Sequence, residues 1–410
     1  MKNSKKQLLI IGHQFPEPKT TAAGFRMMQL IQLFRTNDFE IIFATSAAPT
    51  AFSEDLDNAN VRVEEISLND SLFDQQIRKW APDVVLFDRF MTEEQFGWRV
   101  AANIPEAIRI LDTEDLHFLR RGREAAVKEN EEVPNLFTDL AKRELASIFR
   151  CDLSLIISEA EMDLLSEEFK VPEEILFYLP ICISTQFSPN SFEDRNHFAF
   201  VGNMQHAPNL DAVKQLRKIW PTIRKILPEA ECHIFGAYFP KQLLDLHRPD
   251  LGFIIKGWID NVAGVYESYR VLVAPIRFGA GLKGKIIEAF SYGMPVVTTE
   301  MGAEGISGKL PFGGSIVDEK DFAKAATQLF SSKETWETSQ KYGLKIIEER
   351  FNANPFNHHF LQRIQIVIQH LETHRNRNFF GRILEYHAFQ STKYMSRWIE
   401  EKNKNLKSNA

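Results

Sequence analysis

The chain has 410 residues, 44% of them apolar and 25% charged, with a formal net charge of −6. It is too long for one ordinary core, so two domains of about 180 residues each are expected, and too acidic for nucleic acid to be the main partner. Three cysteines, Cys151, Cys182 and Cys232, are odd in number and far apart, which excludes a disulfide framework or a metal spacing and points to a reducing compartment.

The chain opens with lysines before a short apolar run, Leu8 to Ile11, ended by Gly12-His13. A first β-strand needs no more than this, and a signal-peptide core needs more. No apolar stretch approaches the ~20 residues of a membrane span, so a cytoplasmic protein is expected, or one lying peripherally at the inner membrane face. Strands are predicted at Gln7–Ile11, Glu40–Ala44, Val61–Ile66, Asp83–Phe87, Ala107–Leu111, Leu153–Ile157 and Ile175–Leu179. Helical patterns fall at Ala22–Arg35, Leu72–Trp80, Glu93–Asn103, Asn135–Phe149 and Glu159–Phe169. This alternation implies a mostly parallel sheet covered by helices on both faces.

The segment Ile181 to Asn196 is polar, turn-rich and without a period, and reads as a link between domains. A second alternating series follows. Its strands are predicted at His197–Val201, Glu231–Phe235, Gly252–Ile255, Val271–Ala274, Pro295–Thr298 and Ser315–Val317. Its helices are expected at Asn209–Ile226, Lys241–Leu246, Asn261–Ser268, Lys285–Tyr292, Lys320–Phe330 and Lys333–Glu349. The expected fold class is therefore α/β, with two tandem doubly wound domains facing a cleft: 1–185, 186–353, and C-terminal helices over 354–410. Ligands of such sheets bind beyond the carboxyl ends of the strands.

The most informative stretch lies within that second series. The apolar run Val271 to Pro275 leads into a loop with Gly279, Gly281 and Gly284 that also carries Lys283 and Lys285. A short helical pattern, a strand and a second glycine loop, Gly302 to Gly305, follow. Strand, basic glycine loop and helix together form an anion site: free N–H groups and the helix N-terminus face the ligand, and lysines add charge. A tight turn alone would also use glycines, but would not need the lysines.

From Thr373 onward eight lysines and arginines face three glutamates, with aromatic residues such as Phe380, Tyr386, Phe389, Tyr394 and Trp398 interleaved. Two readings stand: an amphipathic helix packed back on the first domain, or a basic helix on a membrane surface.

Taken together, these residues resemble the GT-B nucleotide-sugar glycosyltransferases, the family-4-type retaining enzymes in particular. The stretch from Arg277 to Ala289, continued by Tyr292 to Thr299 and Gly302 to Ile306, is similar to that family's donor motif. Phe200-Val201-Gly202-Asn203-Met204 resembles its opening of the second domain. Gly12-His13 through Gly24 and Arg26 resembles the loop after the first strand, and Leu111 to His117 with Arg120-Arg121 resembles a mid-domain motif. The resemblance covers about residues 7 to 350. It implies transfer of a sugar from a nucleotide-diphosphate donor to a hydroxyl acceptor, glycan, lipid-linked or protein, in a setting such as cell-surface polysaccharide synthesis. The nucleotide sugar would be a co-substrate, with no metal or other cofactor required.

The resemblance implies roles residue by residue. Lys285 would neutralise the diphosphate, with Lys283 behind it and Arg277 third. Glu288 would hold the nucleotide ribose. Gly24, Gly202, Asn203, Gly281 and Leu282 would border the donor. His117 would stand beside the reacting sugar, and Asp88, Arg89 and Asp115 are acceptor-side candidates. The family's motif has two glutamates eight positions apart, but position 280 is Ala here. Glu304 or Arg277 is expected to fill part of that space. Two alternatives share the fold: a nucleotide-sugar epimerase, and a non-catalytic relative that binds a nucleotide sugar or glycan. A dinucleotide-dependent dehydrogenase fits poorly, because His13 follows Gly12 and no Gly-x-Gly-x-x-Gly fingerprint is present.

Overall fold

The computed structural model describes residues 5–186 and 190–408, with the side chains of 388–390 and 406–408 left out. Phe187–Pro189 of the expected linker, and the side chains of Phe389 and Lys407 in the basic tail, lie outside the described residues.

Seven parallel strands form the first sheet: β1 (Lys6–Gly12), β2 (Phe39–Thr45), β3 (Arg62–Glu65), β4 (Val84–Asp88), β5 (Ile108–Asp112), β6 (Leu153–Ile156) and β7 (Leu176–Tyr178). Their order is β3-β2-β1-β4-β5-β6-β7. The second sheet has β8 (Asn196–Val201), β9 (Cys232–Phe235), β10 (Phe253–Gly257), β11 (Tyr269–Ala274), β12 (Val296–Thr298) and β13 (Gly314–Ile316), in the order β10-β9-β8-β11-β12-β13. All the pairings are parallel, and central strands such as β1, β4, β8 and β11 are apolar and buried because helices cover both faces. Each sheet reverses its winding once, between β1 and β4 and between β8 and β11. Those two switch points are where a crevice must open at the strand ends.

Each predicted strand is present within a residue or two. The helices hold less evenly. Helix Arg89–Asn103 starts four residues before the predicted Glu93. Helix His117–Glu129 was not expected at all. Its sequence, HFLRRGREAAVKE, is so polar that its apolar stripe reduces to Phe118, Leu119, Ala126 and little else. The second glycine loop contains a one-turn helix, Glu300–Ala303, capped by Thr299.

The chain crosses between the sheets twice, after β7 and again near Phe351. The two crossings touch, with Ile183 N–H donating to the Phe351 carbonyl at 3.0 Å. Helix Ala353–Gln369 then runs back over the first sheet, where Phe360, Ile364 and Val367 join Leu8, Ile10, Met27 and Phe34 in one apolar cluster. The last helix, Phe379–Ser408, packs on Asp139–Arg150 and Arg89–Asn103. A buried ionic network anchors that region: Arg109 bonds Glu385 at 3.0 Å, and Arg375 bonds both oxygens of Asp152 at 2.7 and 2.8 Å.

The two cores meet at a seam. Ala280 of the second domain packs into the first domain's apolar cluster, and Ile157 of the first packs into the second's.

Candidate functional site

Between the two switch points lies a cavity of about 760 Å³. Its first-domain wall includes His13 and Gln14 after β1, Arg89 after β4, and Glu114, Asp115, His117 and Arg120 after β5. Its second-domain wall includes Gly202, Asn203 and His206 after β8, and Leu282, Lys283, Lys285 and Glu288 after β11.

On the second-domain side, helix Gly284–Ser291 points its N-terminus at the cavity; Ile286 N–H donates to the Lys283 carbonyl at 2.8 Å, which leaves the Gly284 and Lys285 amides without an intrahelical acceptor. Lys285 Nζ donates to Asn209 Oδ1 at 2.7 Å and sits 5.4 Å from the Phe200 ring centre. Burial without a full counter-charge lowers its pKa to about 8, although Glu288 opposes that. Lys283 Nζ donates to the Gly281 carbonyl at 2.9 Å, and burial lowers its pKa as well. One turn along, Glu288 accepts from the Tyr266 hydroxyl at 2.8 Å, and burial raises its pKa. The wall thus carries two cations, Lys283 with Glu304 3.7 Å away and Lys285 with no ion pair within 4 Å among the described residues, and a carboxylate beyond them.

On the first-domain side, two non-glycine residues hold left-handed backbone, Arg89 at φ 69° and Glu114 at φ 64°. Strain of this kind persists only where surrounding structure fixes it, and it concentrates at functional sites. Arg89 faces Asp88, Glu114, Asp115 and Asp112, which together raise its pKa against burial. Burial, reinforced by Asp112, holds the Glu114 carboxyl well above the usual range. Burial would also raise Asp115, but Arg120, at 2.9 Å, and His117 keep it low.

His117 opens its helix between two carboxylates, with Nδ1 3.4 Å from Glu144 and 3.8 Å from Asp115. The amides of that helix end are already satisfied. Glu144 accepts from His117 and Phe118 N–H at 3.0 and 2.9 Å, and Glu161 accepts from Leu116 N–H at 3.0 Å.

The structure places five sequence candidates off the cavity wall, each for a visible reason. Arg277 is clamped by Asp211 through bonds of 2.8 and 2.6 Å. Glu304 is clamped by Arg123 of the first domain at 2.8 and 2.6 Å. Gly24 gives its N–H to the Thr21 hydroxyl at 2.9 Å, and a Cβ there would lie 2.4 Å from backbone atoms of Glu17. It is a close-packing glycine, and its amide is not free. Gly281 gives its N–H to Glu161 at 2.8 Å, and Asp88 is held by His13 N–H at 2.9 Å. The expectation of free amides therefore fails at Gly281, and also at Gly302, whose N–H goes to Thr299.

Several site residues were not anticipated. His206 lines the cavity, where burial and then Arg120 lower its pKa to about 4. Asn209, Tyr266 and Arg123 each bind a predicted residue. Tyr238 bonds Glu17 across the cleft mouth at 3.0 Å, and Phe52 packs on Tyr238 and Trp258. Nothing in a single sequence marks these, since each is an ordinary polar or aromatic residue whose partner lies 22 or more positions away along the chain.

The family described as Glycosyl transferases group 1 matches residues 195–332, the part that carries the lysine wall. TarM of S. aureus, solved with UDP and a GlcNAc-glycerol, superposes with a TM-score of 0.68 at 11% identity over 88% of this chain and 99% of that one.

This is the GT-B fold of nucleotide-sugar glycosyltransferases.

Sucrose-phosphate synthase from Thermosynechococcus elongatus shares that GT-B fold, with a TM-score of 0.67 at 15% identity, covering 90% of this chain and all of that one. So does Anabaena HepE, solved with UDP and glucose, at 0.64 and 14%, covering 88% of this chain and 100% of that one. No curated protein matches the sequence. Within the GT-B frame, residues 195–332 are the part that matches the group 1 glycosyl transferase family, and the cavity lies between them and the first domain.

Proposed function

We propose that this glycosyltransferase moves a sugar from a nucleotide-diphosphate donor to a hydroxyl acceptor with retention of configuration, in cell-surface or related glycan synthesis. The observation that carries the reading is the convergence of Lys283 and Lys285 on one cavity wall at a helix N-terminus, with Glu288 one turn further on. When the sugar leaves, negative charge grows on the β-phosphate. Two pre-placed ammonium groups and unpaired helix amides stabilise that charge without reorganising. No metal is required in this scheme, because the lysines supply the positive charge. Glu288 accepts the ribose hydroxyls, and Gly202 and Asn203 border the donor beside β8. His117, Arg89 and Asp115 face the donor from the opposite wall, where an acceptor hydroxyl would enter. We assign residues 1–185 to the acceptor side and 186–353 to the donor side.

Thermal unfolding with a panel of UDP-, GDP-, ADP-, CMP- and dTDP-sugars tests this reading. A donor at 100 times its dissociation constant stabilises by about 2.7 kcal/mol. One nucleotide should shift the wild type and leave Lys285→Ala unmoved. The reading falls if none of them shifts the wild type. Binding without transfer or hydrolysis would instead favour a non-catalytic relative, and free isomerised donor an epimerase.

We further propose that the last helix rests on an anionic lipid surface, placing a lipid-linked acceptor within reach at the inner membrane face. No helix among the described residues is long and apolar enough to cross a membrane. Yet Phe379, Phe380, Ile383, Tyr386, Tyr394, Met395 and Trp398 are exposed, most of them by about two thirds. At 100° per residue they fall on one side of the helix, opposite the buried Gly381 and Ser396. Exposed Arg382, Arg397, Lys402 and Lys404 accompany them, and basic charge beside aromatic side chains suits anionic headgroups.

A further inference from the structure

Glu161 belongs to no motif, is fully buried, and does not touch the cavity. Its Oε1 accepts two backbone N–H bonds, one from Leu116 of the first domain at 3.0 Å and one from Gly281 of the second at 2.8 Å. Its Oε2 has no partner among the described residues. A buried carboxyl with an idle oxygen is a costly way to fill space, and an apolar side chain would fill it better. The geometry of the used oxygen gives a reason to keep it.

Gly281 is held at both of its polar groups. Its N–H goes to Glu161, and its carbonyl accepts from Lys283 Nζ at 2.9 Å. A displacement of Gly281 is therefore passed directly to the Lys283 ammonium on the donor wall. Leu116 is the residue before His117, so a displacement of Leu116 is passed to the His117 backbone on the facing wall. Beside the same junction, the seam admits no slack. A Cβ on Gly281 would lie 2.8 Å from Ile157 Cδ1 and 3.0 Å from Asp115 Cβ. One on Gly305 would lie 2.7 Å from Ser158 Oγ. Ala280, where the donor motif has a glutamate in related enzymes, is the residue before Gly281 and is packed into the first domain's core.

We propose that Glu161 is a positioning residue for sugar transfer: one carboxyl oxygen registers the lysine-bearing loop of the second domain against the His117 end of the first. The proposal rests on the transferase reading above. It assigns to a first-domain carboxyl, acting through backbone amides, control over the wall on which the motif's first glutamate is missing. The charged groups facing it are Asp115, which disfavours its ionisation, and Lys283, which favours it.

Three variants test it in the full chain. Glu161→Gln keeps a carbonyl acceptor, Glu161→Met keeps the volume and removes the acceptor, and Glu161→Ala removes both. Two readouts are combined. Amide exchange at Gly281 and Leu116 reports the pin itself and needs no substrate. Steady-state kinetics with the donor identified by the nucleotide panel report its consequence.

Glu161→Gln should retain amide protection and stay within about three-fold of wild-type kcat. Glu161→Met should lose protection at both amides and lose roughly 100-fold in kcat, the penalty of misplacing reacting groups by about 1 Å, with a smaller change in KM. Unchanged protection in Glu161→Met overturns the pin. Lost protection with wild-type kcat overturns the positioning role and leaves a structural one. If wild type turns over no nucleotide sugar while the exchange result holds, the transferase reading has failed and the pin has not.

Discussion

Lys285 illustrates what burial does to a binding group. An ammonium taken out of water without a full counter-ion gives up its proton early, and its pKa falls to about 8. A diphosphate arriving beside it favours the charged form. Donor affinity should therefore be flat below about pH 8 and weaken above it, as the free protein loses the proton that the ligand needs. Lys285→Arg should abolish that alkaline limb, because guanidinium does not titrate there. Calorimetric titrations from pH 6 to 9.5 check this, and an unchanged limb in the arginine variant would point to another group. The place of Lys285 on the cavity wall was legible in the sequence because lysine, glycine spacing and helix start lie within a few residues. What holds Arg277 and Glu304 was not, because the residues that capture them, Asp211 and Arg123, lie 66 and 181 positions earlier in the chain. Spacing along the chain carries no information about such partners.

At the scale of elements, the glycine-rich loop does two jobs at once. Its helix end faces the cavity, and its glycines let the first domain come close. At φ 60°, Gly281 occupies backbone that costs an L-residue roughly 1–2 kcal/mol, before any clash with Ile157 is counted. Gly281→Ala should destabilise the protein by about 2 kcal/mol or more and reduce turnover together with stability. Denaturant unfolding would show it, and a neutral result would mean that the seam yields. The strands were readable because buried parallel strands are short unbroken apolar runs. Helix His117–Glu129 was not, because a helix rich in arginine and glutamate against a small apolar stripe leaves little period to detect. The last helix shows the reverse case, an apolar stripe visible in sequence that faces away from the core. Trp398→Asp combined with Phe380→Asp should leave thermal stability near wild type and abolish sedimentation with anionic vesicles. Neutral phosphatidylcholine vesicles should bind the wild type far less. Equal binding of the double variant and the wild type to anionic vesicles would exclude this face as the contact.

For the whole molecule, the sequence pattern of two alternating series already implied two sheets and a cleft. The way the halves are fastened was invisible. Arg123 reaches from the first domain to Glu304, which lies 3.7 Å from Lys283. Cutting that clamp does more than loosen the halves. It leaves Glu304, already paired with Lys283, free to close fully on it and compete with the donor's phosphates. Arg123→Ala should weaken donor binding by about tenfold, equivalent to 1.4 kcal/mol. Adding Glu304→Gln should restore much of it, a coupling that a double-mutant cycle would measure. Strictly additive losses would mean that the clamp acts only by holding the domains together.

The two crossings between the domains, tied to each other by the Ile183–Phe351 bond, constrain how such a molecule can open. Two independent tethers would let the halves slide and twist. Stitched side by side they make a single spine, and any opening of the cleft is expected to turn about it as a book turns about its binding. Such a hinge would bring the lysine wall and the His117 wall back to the same register at each closing.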